Sequence, residues 1–180
     1  MVASCLCKRI KFLNSENYLT VDLYQNAYKL IANDIRLKFG DNIPTLIGIA
    51  RGGLPLVVSL SSTLGKREVN SVQCKLTNSD AIYDYGRFEI LNDSINEKTK
   101  ECILVDDILG TGETTKKLIS ALAKRGIKVV AVYAIVADRC FEKNIVDGVD
   151  YNYVYELKTG KWVHFFWNTC VQDYFDRINS

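Results

Sequence analysis

Apolar side chains recur at helical spacing across residues 20–39, at Tyr24, Ala27, Leu30, Ile31 and Ile35. Thr20 suits the N-cap of that segment and Gly40 its stop, which predicts an amphipathic first helix. Two short apolar runs, 45–50 and 101–105, each end in a turn rich in Gly or Asp. A third run, 127–135, is apolar but for Lys128, as a strand buried on both faces of a parallel sheet requires. Helical patterns lie between these runs at 54–64 and at 113–125, the second closed by Gly126. Repetition of strand, helix, strand predicts the α/β class, with a doubly wound, mostly parallel sheet and flanking helices. Ligands of such sheets bind outside the carboxyl ends of the strands, so the turns after 50 and 105 are where chemistry is expected.

Composition narrows the field. The chain has 180 residues, no internal repeat and no low-complexity tract, and reads as one domain over 1–180. Lys and Arg number 23 against 21 Asp and Glu, a net charge of +2. That balance argues against nucleic acid as a partner and against a polybasic membrane anchor, so an anionic ligand needs a local site. The six cysteines (Cys5, Cys7, Cys74, Cys102, Cys140, Cys170) form no CxxC pair. With no signal-peptide core at the N-terminus and no apolar stretch long enough to span a bilayer, the reducing cytoplasm is the expected location.

The turn after 105 carries the strongest chemistry: Val105-Asp106-Asp107-Ile108-Leu109-Gly110-Thr111-Gly112-Glu113-Thr114-Thr115. Unpaired N–H groups and the dipole at a helix N-terminus favour an anion, so Thr111 to Thr115 can wrap a phosphate. Gly110 and Gly112 let the backbone approach, and the hydroxyls of Thr111, Thr114 and Thr115 add donors. Adjacent carboxylates suit ribose hydroxyls, or a hard cation such as Mg²⁺. Phosphate pocket and diol binder on one segment point to a ribose 5-phosphate. A P-loop would need Lys before Ser or Thr, and a dinucleotide fingerprint three spaced glycines; neither is present. The turn after 50, Ala50-Arg51-Gly52-Gly53, leaves the same sheet edge, and a guanidinium beside backbone donors suits a pyrophosphate.

The segment from Val105 to Thr114 closely resembles the signature of type I phosphoribosyltransferases. The resemblance implies that Asp106, Asp107, Gly110, Thr111, Gly112, Glu113, Thr114 and Thr115 hold the ribose and 5′-phosphate of 5-phosphoribosyl-1-pyrophosphate (PRPP). It also implies Mg²⁺ as cofactor, with Asp107 toward the metal. Ala50, Arg51, Gly52 and Gly53 would form the pyrophosphate loop, and Arg51, Asp106 and Asp107 would be the catalytic set. The resemblance extends to the xanthine-guanine and hypoxanthine purine-salvage enzymes, and the xanthine-guanine ones carry a near-identical Arg-Gly-Gly-Leu. The resemblance further implies a closing lid at about 75–91, containing Tyr83, Asp84, Tyr85 and Arg87, and a small C-terminal hood at about 151–180. Trp162 would stack on the base there and Val163 would read its edge through the backbone; His164 is the one histidine in the run. Relatives are often dimers or tetramers, so a homo-oligomer is expected.

Three departures bear on the base. Purine-salvage relatives show Asp at the position of Gly110, a Lys after the following strand where this chain offers only Arg139, and a Ser-Tyr pair where Leu76-Thr77 stands. A 6-oxopurine acceptor is expected, with a different base or a non-enzymatic ligand sensor on the same fold as the alternatives. Residues 139–155 acquire no role from the sequence.

Overall fold

The computed structural model describes residues 11–12, 17–77, 85–157 and 163–167. Strands β1 (Lys11–Phe12) and β2 (Tyr18–Leu19) precede helix α1 (Val21–Phe39). Thr20 caps α1, its hydroxyl accepting from Leu23 N–H at 3.2 Å. Gly40, at φ 55°, ends it with its N–H on the Arg36 carbonyl. There follow β3 (Thr45–Ala50), α2 (Gly53–Thr63), β4 (Asn70–Thr77), β5 (Tyr85–Asp93), β6 (Glu101–Leu109), α3 (Glu113–Lys124) and β7 (Lys128–Asp138). A 3₁₀ helix (Arg139–Asn144) then leads to β8 (Asp150–Leu157) and β9 (His164–Phe165).

Seven of these strands form one sheet in the order β1-β8-β7-β6-β3-β4-β5, parallel except for the antiparallel β4–β5 pair. Helices α1 and α2 bury Ile31, Ile35, Leu56 and Leu60 against Ile103, Val105 and Tyr133 on one face. On the other face α3 buries Leu118, Ile119 and Leu122 against Cys102, Leu104 and Val132. A polar tie crosses the first layer: Tyr133 donates to the buried Asp34 carboxylate of α1 at 2.7 Å. Helix α2 lies close on β3 because Gly48 has no side chain, and a Cβ there would meet Val57 Cγ1 at 2.6 Å.

From β3 the chain crosses through α2 to β4 on one side, and from β6 through α3 to β7 on the other. β3 and β6 are neighbours, so the two crossovers diverge from a topological switch point, where open parallel sheets form their ligand crevice.

The expected helices hold to within a residue or so, and the expected strand at 45–50 is β3. The strand expected to stop at Val105 instead runs to Leu109. Its pairing with β3 ends at Val105, but pairing with β7 continues to Leu109 opposite Ala137, and this overrides the turn tendency of two aspartates. Where described, the flanks of the expected lid belong to the β4–β5 hairpin; its tip, with Tyr83 and Asp84, lies outside the described residues. Residues 150–157, largely assigned to the hood, are strand β8 of the main sheet, with Val154, Tyr155 and Leu157 buried in the α1 face. The described part of the hood is 163–167, whose β9 pairs with β2.

Candidate active site

The turn after β3 packs on the carboxyl-terminal half of β6 at the switch point. A Cβ on Gly52 would overlap the Asp107 carboxylate, and one on Gly53 would overlap the Val105 carbonyl. Both glycines are therefore required by close approach, which seats the Arg-Gly-Gly turn on the end of β6. Arg51 stands at the rim with its side chain exposed, and the Ala50–Arg51 peptide is cis.

Asp106 and Asp107 are adjacent but have different neighbours. Asp107 is 8 % exposed and lies against Gly52. Asp106 accepts the Asp107 N–H at 2.9 Å and lies within electrostatic reach of Cys74 on β4. Burial pushes both carboxyls above the usual carboxylate range, and the Asp107 charge raises Asp106 further. Burial, then the charge of Asp106, push the Cys74 thiol up to about 11. Two crowded carboxylates that ionise reluctantly await cationic or hydroxyl partners. Among the described residues no group of three or more His, Cys, Asp or Glu gathers to hold a metal. The hard oxygens of Asp106 and Asp107 still fit Mg²⁺, which takes most of its ligands from water and substrate oxygens.

Beyond Leu109, Gly110 to Gly112 turn the chain into α3. Gly112 takes φ 77° and its carbonyl accepts Lys116 N–H, the first helical bond. Thr111, Glu113 and Thr114 stand beside the helix N-terminus, and Thr115 is buried beneath it. Space around Gly110 is open, with nothing within 4 Å of a Cβ built there. The 3₁₀ helix packs behind the turn, where Phe141 and Asn144 stand 3.2–3.3 Å from the Cβ position of Gly112. No motif announced this contact; the charged, aperiodic run 139–144 gave no local signal.

The region expected to take the base is partly described. Trp162 lies outside the described residues, Val163 is buried, and His164 is exposed with its backbone N–H on Asn17 O at 3.0 Å. Phe165 stacks on Trp167 at 4.7 Å, and Trp167 meets Tyr24 edge-on, so this end of the run packs as core. Arg139, at the carboxyl end of β7, is not a free cation. Its Nε lies 2.5 Å from Oε1 of the buried Glu156, and Nη2 donates to Oε2 at 3.2 Å. Leu76 is buried, and Arg87 is exposed on β5. No described helix is long and apolar enough to cross a membrane.

Residues 15–174 match the phosphoribosyl transferase domain family. The chain is 29 % identical over 129 residues to an orotate phosphoribosyltransferase of Clostridium acetobutylicum, covering 71 % of this chain and 57 % of that protein. It is 32 % identical over 102 residues to the bifunctional protein PyrR of Clostridium novyi, covering 52 % and 57 %. Thus it spans less than two thirds of the length of either relative. Among solved structures, a purine phosphoribosyltransferase from Pyrococcus horikoshii superposes with a TM-score of 0.66 at 27 % identity, over 85 % of this chain and 93 % of that one. With its Arg-Gly-Gly turn packed on Asp107 of β6 at the switch point of a mostly parallel sheet, the chain belongs to the phosphoribosyl transferase domain family.

Proposed function

We propose that this protein is a phosphoribosyltransferase that moves ribose 5-phosphate from PRPP to a nucleobase, a 6-oxopurine by preference, and releases pyrophosphate. The observation that carries the reading is the contact of Gly52 with Asp107, which seats the pyrophosphate-type turn against the pair of carboxylates on the strand that leads into the phosphate-type turn.

In this reading a ring nitrogen forms a bond to C1 of the ribose as the bond from C1 to the pyrophosphate oxygen breaks, and the base gives up its proton. Gly110, Thr111, Gly112, Glu113, Thr114 and Thr115 hold the 5′-phosphate, mainly through backbone N–H groups at the start of α3, with Thr115 supporting the turn from beneath. Asp106 and Asp107 take the ribose hydroxyls, and their charge stabilises the cationic sugar of the transition state. Ala50, Gly52 and Gly53 offer backbone to the leaving group, and the exposed Arg51 guanidinium stands where it can turn onto it. Asp107 would hold Mg²⁺ together with donor oxygens, and the ion would supply charge neutralisation for the leaving pyrophosphate. The lid read from the sequence at about 75–91 closes over the donor and excludes water. Trp162 and Val163 receive the base. Enzymes of this kind work as dimers or tetramers in the cytoplasm, and the free Cys74, Cys102 and Cys140 suit a reducing compartment.

The Arg139–Glu156 pair supports an uncharged acceptor. An acidic base such as orotate would call for a free cation at the strand ends, and the guanidinium of Arg139 is already matched by a carboxylate. Gly110 favours a second reading, another base, because the carboxylate that purine-salvage relatives place there is missing. Steady-state pyrophosphate release from PRPP and Mg²⁺, with hypoxanthine, guanine, xanthine, adenine, orotate and uracil in turn, tests both. Release with the 6-oxopurines is the expected result; release with orotate alone selects the second reading. PRPP binding without release for any base would make the chain a sensor.

A further inference from the structure

We infer that Asn144, in the 3₁₀ helix after β7, is a positioning residue that presets the phosphate-binding turn. The inference rests on the reading of Thr111–Thr115 as the 5′-phosphate site. The side-chain amide of Asn144 bridges two parts of that site. Its Nδ2 donates to the Thr111 carbonyl at 2.8 Å, and its Oδ1 accepts from Lys116 Nζ on the first turns of α3 at 3.2 Å.

The first bond fixes a peptide plane. In a trans peptide the C=O and the following N–H point in opposite directions. With the Thr111 carbonyl held on Asn144, the N–H of Gly112 is aimed away from the 3₁₀ helix. Gly112 sits at φ 77°, in a conformation open to glycine, and glycine also tolerates the alternative orientations of its neighbouring peptides. The turn needs an outside restraint to keep one of them, and Asn144 provides it. The second bond draws the Lys116 ammonium to the same amide, beside the turn that receives the phosphate.

The restraint is itself anchored. Asp138 caps the 3₁₀ helix, accepting from Cys140 N–H at 2.9 Å. Phe141 is buried, stacks on Tyr151 of β8 at 5.8 Å and meets Tyr153 edge-on at 5.7 Å. Phe141 and Asn144 also close the space beside Gly112. A segment that offers no motif of its own thus holds the donor turn in its working shape, which lowers the cost of ordering that turn when the phosphate arrives.

Titration of PRPP with Mg²⁺, and separately of ribose 5-phosphate, into the native protein and the Asn144→Ala, Asn144→Asp and Lys116→Met variants tests this, together with initial rates. Asn144→Ala is expected to raise KM for PRPP and weaken ribose 5-phosphate binding about five- to tenfold, with kcat and the KM of the base within about twofold. Asn144→Asp keeps an acceptor for Lys116 but sets a carboxylate against the Thr111 carbonyl, so its donor affinity should fall below that of Asn144→Ala. Lys116→Met should fall between the native protein and Asn144→Ala. A purely structural role would reverse the first order, because the carboxylate introduced by Asn144→Asp would form an ion pair with Lys116 and restore stability. The assignment is overturned if Asn144→Ala binds ribose 5-phosphate like the native protein, or if Asn144→Asp binds it better than Asn144→Ala. Should the native protein bind neither ligand, the donor-site reading falls and this assignment with it; native binding with unaltered variants removes the assignment alone.

Discussion

Gly52 faces the Asp107 carboxylate so closely that no Cβ fits between them. The contact joins the turn after β3 to strand β6, far apart in the chain, and in the proposed reading it forms the wall between the pyrophosphate and ribose subsites. Gly52→Ala must push Asp107 aside or move the turn, so we expect kcat/KM for PRPP to fall about 100-fold or more, in the range seen when positioning is disturbed by a fraction of the site's width. Gly110→Ala is the control. Nothing stands within 4 Å of its Cβ and its backbone is not in the left-handed region, so melting and PRPP affinity should stay near the native values.

That open space also permits a gain of function. Gly110→Asp sets its Cβ in open space and supplies the carboxylate that purine-salvage relatives show, so kcat/KM for hypoxanthine should rise while KM for PRPP stays within about twofold. Unchanged rates with all 6-oxopurines would count against a purine acceptor.

Tyr133→Phe removes a hydroxyl that donates to the buried Asp34 and leaves a carboxylate without that partner inside the α1 layer. A loss of about 2–3 kcal/mol is expected from chemical denaturation, with kcat unchanged, because neither side chain belongs to the candidate site. The direction with pH follows from the same burial. Burial raises the Tyr133 hydroxyl above its ordinary range and pushes the Cys102 thiol up to about 12. Both groups are held neutral in the fold and ionise more readily when it opens. Their contribution is complete well below pH 9.0, the midpoint of an unperturbed thiol, and is lost progressively as pH rises toward 12. Denaturation midpoints at about pH 8 and about pH 10 should show the fall, and Cys102→Ala should reduce it.

Local signals made much of the fold legible. Thr20 and Gly40 announced α1 because capping depends on a few neighbouring residues, and the bounds of β3 followed from an unbroken apolar run closed by a glycine turn. The end of β6 was not legible, since Asp106 and Asp107 carry turn propensity and only their pairing with β7 keeps them in a strand. In the site, the glycine-rich sequences of the two turns stand out locally, but the contact of Gly52 with Asp107 of β6 is a product of sheet order. Asn144 was invisible for the same reason: a single amide in an aperiodic charged segment gains its meaning only from the turn it packs against.

The central claim, that the two turns form one PRPP site around Asp107, is tested most directly by calorimetric titration of PRPP with Mg²⁺ into the native protein and Asp107→Asn. Burial raises the Asp107 carboxyl, so the charged group costs folding stability as pH rises through its titration, and a neutral isostere should melt at the same temperature or higher. The account predicts saturable binding of PRPP by the native protein and none by the well-folded variant. Equal binding by both would contradict it.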